Sequence, residues 1–586
     1  MGRSLISAPD EAEVACQVVP EIPSFSVDDG FTYSVPRGMS VSVGSRVRVR
    51  VSGRRLTGYV TAVLPRPTNR RLLPVDKVSG NASVFDEGLL AVCRWAAVHY
   101  VAPLATVLAR TSPPNVPRRS SQPERGPTPG PTGRLPYRVS RAPHVEAVEA
   151  SLGELGEGRS RIVIVPSSEE AIVLAEQLRG KFPNGVEVAT SAMSDATVTR
   201  AWGAAAHDPD TILVGTREVA LWRAAGGGAW VIVEDGRRVM KSPSTPTMHA
   251  RDLVMARRRH VRTPVAMIGP VPTLEALAYG VEIVADPGRS WGPVEVFDRT
   301  REPPSPHFVT EHARRAILAV LRSGRRVFVL VGVRGYAPAF RCVACGSLRR
   351  CSACGTAAAD KGACRRCGNE LGRCAGCRGI RFAPLGAGIG AIVDEIAGFA
   401  GHAAVGTAED PAAILVGTER DLIGLASVGL GLVVDADGMV GAPHFRAAED
   451  TLRLIARLAN RVGGRHDART IVQTSDPDHL VLSSLREGRF SAFVRAEQAA
   501  RRAARFPPYG ELIAIEVANS PEADQRIRAA CEPTATVRGP AHMRDRERWL
   551  VHGNDLAEAR LALRGAVDAL RASGARVRID ADPIDL

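Results

Sequence analysis

The chain has 586 residues, with 76 Lys and Arg against 62 Asp and Glu, a formal net charge of +14 at pH 7. That length predicts roughly three to five domains, and the positive balance points to a polyanionic partner such as nucleic acid, against the plainer alternative of a basic soluble enzyme. With no apolar run of about 18 residues and no signal-peptide pattern at the N-terminus, a cytoplasmic protein with no membrane role is expected; with aromatics at only 5%, base stacking is disfavoured as the main binding mode.

The first predicted module covers residues 1–110. In it RVRVRV (Arg46 to Val51) alternates with period two, and SGRR turns the chain into LTGYVTAVL. This is the pattern of a half-buried β-hairpin with Arg46, Arg48 and Arg50 on one face. The stretch Ser112 to Pro136 is dense in Pro, Gly, Ser and Arg and has no apolar periodicity, which predicts a solvated linker over 111–140.

Beyond the linker the chain repeats itself. ILVGT occurs at Ile212 to Thr216 and again at Ile414 to Thr418, and each copy is followed by an apolar strand ending in acids, VIVED to Asp235 and LVVDAD to Asp437. Continuous Val/Ile/Leu runs between helical stretches are what strands of a parallel sheet buried on both faces look like. Two similar α/β lobes are expected, 141–298 and 299–500. Asp435 and Asp437 are read as caps of the following turn. Arg495, Arg501, Arg502 and Arg505 form either a solvated helix face or a DNA contact. The remainder, 501–586, opens with FPPYG and ends in RVRIDADPIDL, which suits a small α+β domain closing on a strand.

Within the second lobe, residues 340–380 hold eight of the 11 cysteines in the order Cys342-x2-Cys345, Cys351-x2-Cys354, Cys364-x2-Cys367, Cys374-x2-Cys377. In a chain expected in a reducing compartment such crowding means metal thiolates, whereas Cys16, Cys93 and Cys531 stand alone and read as buried thiols. Four knuckles make two tetrahedral all-cysteine zinc sites with no open position for an activated water, so the role is structural. Gaps of five and six residues between neighbouring knuckles are tight, while the nine-residue loop Gly355 to Ala363 can form a hairpin tip. Chain reach therefore favours nested pairing, with Cys342, Cys345, Cys374 and Cys377 on one zinc and Cys351, Cys354, Cys364 and Cys367 on the other. A cross-braced arrangement is the alternative. Arg341, Arg349, Arg350, Arg365, Arg366, Arg373 and Arg378 decorate the knuckles, as a nucleic-acid surface or as ordinary solubility.

Gly335 to Gly355 (GYAPAFRCVACGSLRRCSACG), the following knuckles and LGAGIGAIVDEI resemble the zinc-binding insertion in the second lobe of the PriA primosomal helicase family. RIVIVP, DTILVGTREVALW, HARDLVMARRR, FRAAEDTLRLIARLANRVGG, FPPYG, RGP and DADP extend the resemblance along most of the chain. FTYSVP, Gly53 and WAAVHY fall where that family has the module that captures a 3′ end of nascent DNA, with Thr32 where the family has Asp. The resemblance implies two RecA-like lobes carrying a double zinc ribbon, flanked by a β-rich DNA-binding domain and a small C-terminal one. It implies DNA contacts from Phe31, Tyr33, Arg46, Arg48, Arg50 and Gly53, and forks or other branched DNA as ligand. The replicative helicase and its loader, single-strand binding protein and other primosome components are the implied partners.

The motor motifs depart from the family. No G-x-x-x-x-G-K-[ST] loop, whose amides and lysine cradle phosphates, occurs anywhere, and SLGELGEGRSR stands before RIVIVP where the loop is expected. The family's DEEH reads Glu234-Asp235-Gly236-Arg237, its GSATPS reads Gly269-Pro270-Val271-Pro272-Thr273, and QVAGRAGR has become RLANRVGG, keeping Arg461. Phosphoryl transfer needs phosphate, metal and arginine positioned together, so a binding and loading factor without ATP hydrolysis is expected. The alternative is an ATP-dependent 3′-5′ helicase with an unconventional nucleotide site at Glu234, Asp235 and Arg461.

Overall fold

Strands β1 (Val14–Pro20), β2 (Phe31–Val35), β3 (Arg46–Val51), β4 (Arg54–Pro65) and β5 (Lys77–Val78) form an antiparallel sheet in the order β2-β1-β4-β3-β5. In this computed structural model the residues described are 14–65, 71–80, 82–116, 133–141, 144–156, 158–285, 288–303, 305, 307–332, 339–345, 347, 349–353, 362–364, 368–385, 388–407, 410–442, 444–543 and 545–584. The arginine hairpin forms with Val47 and Val49 fully buried and Arg48 and Arg50 exposed. Its turn is only Ser52-Gly53, both at positive φ (47° and 79°), the two-residue geometry whose twist matches its strands.

β6 (Pro136–Val139), β7 (Arg161–Ile164), β8 (Val186–Ala189), β9 (Ile212–Gly215), β10 (Ala229–Val233), β11 (Val265–Gly269) and β12 (Glu282–Val284) make an all-parallel sheet, β12-β6-β11-β10-β7-β9-β8. Its apolar runs alternate between two cores. Ile162, Ile164, Trp230 and Ile232 face one, and Val163, Ala229, Val231 and Val233 face the other. The first core also takes in Leu89, Val92, Cys93 and Ala96 of helix Glu87–His99, so the N-terminal module is packed directly onto this lobe.

The second parallel sheet contains β13 (Val294–Asp298) and β14 (Val327–Leu330). After the short antiparallel pair β15 (Ala339–Cys342) and β16 (Phe382–Leu385) it continues with β17 (Val405–Gly406), β18 (Ile414–Gly417), β19 (Leu430–Val433) and β20 (Arg469–Thr474). Its order, β13-β20-β19-β14-β18-β17, repeats that of the first lobe, with β11-β10-β7-β9-β8 matched by β20-β19-β14-β18-β17. Both ILVGT copies and both acid-ended strands take equivalent places. Two boundaries read from sequence move. Pro136–Val139, counted with the linker, is a strand of the first lobe because its hydrogen bonds go to β11 and β12, and Val294–Asp298 pairs with β20 and so opens the second lobe. The C-terminal part is an antiparallel sheet, β22 (Thr536–His542), β23 (Glu547–Gly553), β21 (Glu511–Ala518) and β24 (Arg576–Ala581), in that order. Among the described residues no helix is long and apolar enough to cross a membrane.

Candidate functional site

In parallel α/β sheets ligands bind beyond the carboxyl ends of the strands, and here those ends of the two lobes face each other. β6 is followed in the chain by helix Val145–Glu154, the strand-then-helix order in which a phosphate loop lies, and Ala142 and Pro143 between them are outside the described residues. That corrects the placement made from sequence, since SLGELGEGRSR lies at the end of this helix and in the turn after it. The loop in the phosphate position reads SRAPH and contains neither the glycines nor the lysine such a loop needs. His144, at φ 65°, instead brings its Nε2 within 3.2 Å of Glu234 Oε1.

Glu234 directly follows β10 and is buried. Arg457 of the second lobe lies 3.0 Å from its Oε2 and Arg237 3.6 Å. Arg237 also donates to Glu170 at 2.7 Å and reaches Glu419 across the cleft at 3.4 Å. Asp235 accepts from Thr273 Oγ1 at 2.7 Å and from Arg251 at 3.2 Å. Glu275 pairs with Arg446 at 2.5 Å and lies 3.8 Å from both Arg251 and Arg501; Glu449 pairs with Arg453 and with Arg501, the latter at 2.5 Å. A Cβ on Gly236 would stand 2.6 Å from Arg453 Cζ and 2.7 Å from Thr273 Cγ2, so a side chain there would displace the Arg453 guanidinium.

Burial alone would push the Glu234 and Glu275 carboxyls up. For Glu234 it is overcome by Arg457, the His144 hydrogen bond and Arg237, and for Glu275 by Arg446 and Arg251, so both are held well below the ordinary carboxylate range. Asp235 goes the other way, raised by burial despite Arg251 and Thr273. Glu234 and Asp235 thus do come together, but every carboxylate that a nucleotide-bound metal would need already faces arginine. Arg461 is half-buried beside this network and makes no ion pair among the described residues. The bridging residue is Arg457, one helical turn earlier, which the sequence reading missed. Its signal was the spacing Glu449, Arg453, Arg457 on helix Ala447–Ala459, which puts all three on one face. Arg501 is likewise a buried bridge rather than a DNA contact. Asp435 caps the following turn, accepting from Gly438 N at 2.9 Å, whereas Asp437 does not cap it and instead accepts from Ser475 N at 2.8 Å, after β20.

At the knuckles, β15 and β16 close the base of the insertion, and the sulfurs of Cys342, Cys345, Cys374 and Cys377 all lie within 4.8 Å of one another. Cys342 to Cys377 is 3.4 Å and Cys345 to Cys374 is 3.5 Å, close to the roughly 3.8 Å between sulfurs of a tetrahedron with 2.3 Å arms. A Cβ on Gly379 would meet Cys342 and Cys377 Sγ at 3.3 Å, so the chain passes there without a side chain. First and fourth knuckles therefore meet in a set that can hold a metal ion. Of the second set, Cys351 and Cys364 are buried together against Leu371, while Cys354 and Cys367 lie outside the described residues. Arg349 donates to Leu371 O at 2.8 Å and sits 4.3 Å over the Phe382 ring, a packing role; Arg365 and Arg366 lie outside the described residues.

On the N-terminal sheet Phe31 is 42% exposed at the edge strand, but Tyr33 is 3% exposed, its hydroxyl donating to Arg50 O at 3.0 Å, so Tyr33 is a core residue and not a surface contact. Alternation does not explain this, since Phe31 and Tyr33 share a parity; the strand is exposed at its start, Phe31, and buried from Tyr33 to Val35. Arg50 pairs with Asp76 at 3.5 Å, leaving Arg48 the exposed arginine on that hairpin face with no ion pair among the described residues. Three segments singled out by their sequence meet at one junction. His99 pairs with Asp582 at 3.0 Å, Tyr100 donates to Asp252 at 3.2 Å, and buried Lys241 donates to Asp580, Ala581 O and Asp582 O at 2.6 to 2.7 Å.

Sheet order and facing strand ends define a helicase-like, two-lobed protein with buried ion pairs across the cleft between its lobes. The model of the PriA 3′DNA-binding domain (3′BD) matches residues 17–113, and that of the primosomal protein N C-terminal domain matches 502–584. The replication restart protein PriA of Bacillus subtilis (strain 168) is 24% identical over 457 residues, 67% of this chain and 56% of that protein. The PriA of Synechocystis sp. is 23% identical over 500 residues, 74% and 60% respectively. The chain is thus similar to PriA replication restart proteins, and spans 56% and 60% of the length of these two. Among solved structures it is similar to RecG bound to a three-way DNA junction, with 12% identity, a TM-score of 0.35, and coverage of 62% of this chain and 43% of that one.

Proposed function

We propose that this protein is a replication restart factor that recognises stalled or abandoned forks, binds branched DNA and promotes primosome assembly and loading of the replicative helicase, without being a motor itself. The observation that carries this reading is the clasp of Glu234, Arg237, Glu275, Glu419, Arg446, Glu449, Arg457 and Arg501 in the place of a nucleotide, next to a matched 3′DNA-binding domain. DNA would be gripped by an N-terminal domain within 1–110, with Phe31, Arg46, Arg48, Arg50 and the Gly53 turn on its face, joined through 111–140 to the paired lobes and the C-terminal domain. Two zinc ions, one on Cys342, Cys345, Cys374 and Cys377 and one on Cys351, Cys354, Cys364 and Cys367, would hold the insertion as a rigid surface for a loader or single-strand binding protein. Such a protein works in the cytoplasm, at the nucleoid.

The test is made on one zinc-loaded preparation. Fork binding should exceed binding to linear duplex of equal length, and DNA should stimulate no ATP turnover above background. Turnover abolished by Asp235→Asn would restore the motor reading, and equal affinity for fork and linear duplex would remove the fork-recognition reading.

A further inference from the structure

Helix Ala250–His260 is buried from Ala250 to Arg257 and then leaves the core, so that Arg259, His260 and Arg262 are exposed and Arg258 is half-buried. Beside this exit lies a depression of ≈310 Å³ lined by Met255, Arg258, Arg259 and Tyr279. Tyr279 offers it a 36% exposed ring while its hydroxyl donates to Asp252 Oδ1 at 3.3 Å. Arg259 and Arg262 make no ion pair within 4.0 Å among the described residues, in a lobe whose cleft arginines Arg237 and Arg251 are both paired.

A basic last turn answers the helix dipole, and Arg258 and Arg259 can serve that end. The dipole does not account for Arg262. It stands one residue beyond the C-cap Val261, at φ +57°, a left-handed position that glycine takes far more readily than a residue with a long side chain. The sequence keeps a guanidinium where the backbone favours none. The place matters too. A Cβ on Gly88, at the start of helix Glu87–His99 and inside the matched 3′DNA-binding domain, would lie 3.1 Å from Val261 Cγ2, so the arginines stand on the seam between that domain and the first lobe.

We infer that this seam is a second DNA-docking site, in which Arg259 and Arg262, with Arg258 at the depression, hold backbone phosphodiesters of a DNA arm that continues from the N-terminal module. The inference rests on the DNA-binding reading above and adds the place where the arm runs. It is tested with the full zinc-loaded chain by titrating a forked DNA, a linear duplex and a single-stranded oligonucleotide at several salt concentrations. Each phosphate contact contributes roughly 0.9 to the slope of log affinity against log salt for duplex and about 0.7 for single strands. Arg259→Ala with Arg262→Ala should therefore make the fork slope shallower by roughly 1.4 to 1.8, and the probe that shares the loss, duplex or single strand, tells which arm sits there. Arg301→Ala with Arg322→Ala, which removes the same charge from the second lobe, should leave the slope unchanged. Arg262→Gly suits the left-handed backbone, so it should keep or raise Tm while weakening fork binding several-fold. Equal slope changes in the two double variants, no change in either, or a fall in Tm at unchanged affinity would each overturn the seam site while leaving fork preference intact. Failure to bind any of the three probes would overturn both readings.

Discussion

Arg501 is 2% exposed and lies against three carboxylates, with Glu449 at 2.5 Å, Glu497 at 2.9 Å and Glu275 at 3.8 Å, while its Nη1 donates to Pro507 O at 3.2 Å. Removing one partner from a buried pair leaves charge without compensation, typically at a loss of about 3 to 5 kcal/mol. Arg501→Ala should therefore lower stability by about that amount, read as a shift in the thermal or urea transition, with Arg501→Lys intermediate because a lysine cannot span several acceptors at once. His249 makes a pH prediction at the same scale. Burial, with Arg251 and Lys241 nearby, holds its imidazole down at about 3, and its Nδ1 accepts from Arg251 N at 3.1 Å. A histidine neutral in the fold but protonated when unfolded contributes stability that is complete above its unfolded value near 6.5 and shrinks as pH falls towards 3. Unfolding free energy should drop by roughly 1.4 kcal/mol per pH unit from this group over that window, and His249→Gln should flatten the slope between pH of about 6 and about 4.5.

The element most legible beforehand was the knuckle insertion, because cysteine spacing encodes ligand geometry directly, and the first and fourth knuckles indeed meet. Cys342→Ser should remove one metal ion per chain in metal analysis of the purified protein, and chelation should open the insertion to protease, since thiolate-bound zinc supplies about 10 kcal/mol or more to such folds. The paired sheets were legible for a similar reason, as strands buried on both faces carry unbroken apolar runs. Side-chain direction at sheet ends was not. Tyr33 and Phe31 share a strand and a parity, yet Phe31 stands exposed where the strand begins while Tyr33 is buried with its hydroxyl on the Arg50 carbonyl. Nor could sequence place the lost phosphate loop. A P-loop is recognised by its glycines, and once they are gone the position is marked only by β6 entering its sheet beside β11.

At the scale of the whole molecule, the cleft decides whether the lobes can move. A helicase motor cycles because nucleotide supplies, and then withdraws, the charge that joins its lobes. Here that charge is covalent. Glu234 with Arg457, Glu419 with Arg237, and Glu275 with Arg446 and Arg501 join the two halves with no soluble ligand. A ligand shifts an equilibrium only by its differential affinity for the two states, and a triphosphate, itself an anion, would have to displace carboxylates already paired with those arginines. Small-angle scattering and amide exchange of the chain should therefore be the same with and without Mg·ATP. Arg457→Ala combined with Arg446→Ala should loosen the cleft by both measures, and acid should do likewise, because Glu234 and Glu275, held below their ordinary range, give stability present above pH of about 4.5 and lost as pH falls below it. Compaction on adding Mg·ATP to the unmodified chain would mean that the clasp opens for nucleotide, and the fixed-frame reading would give way to a motor in an unfamiliar form.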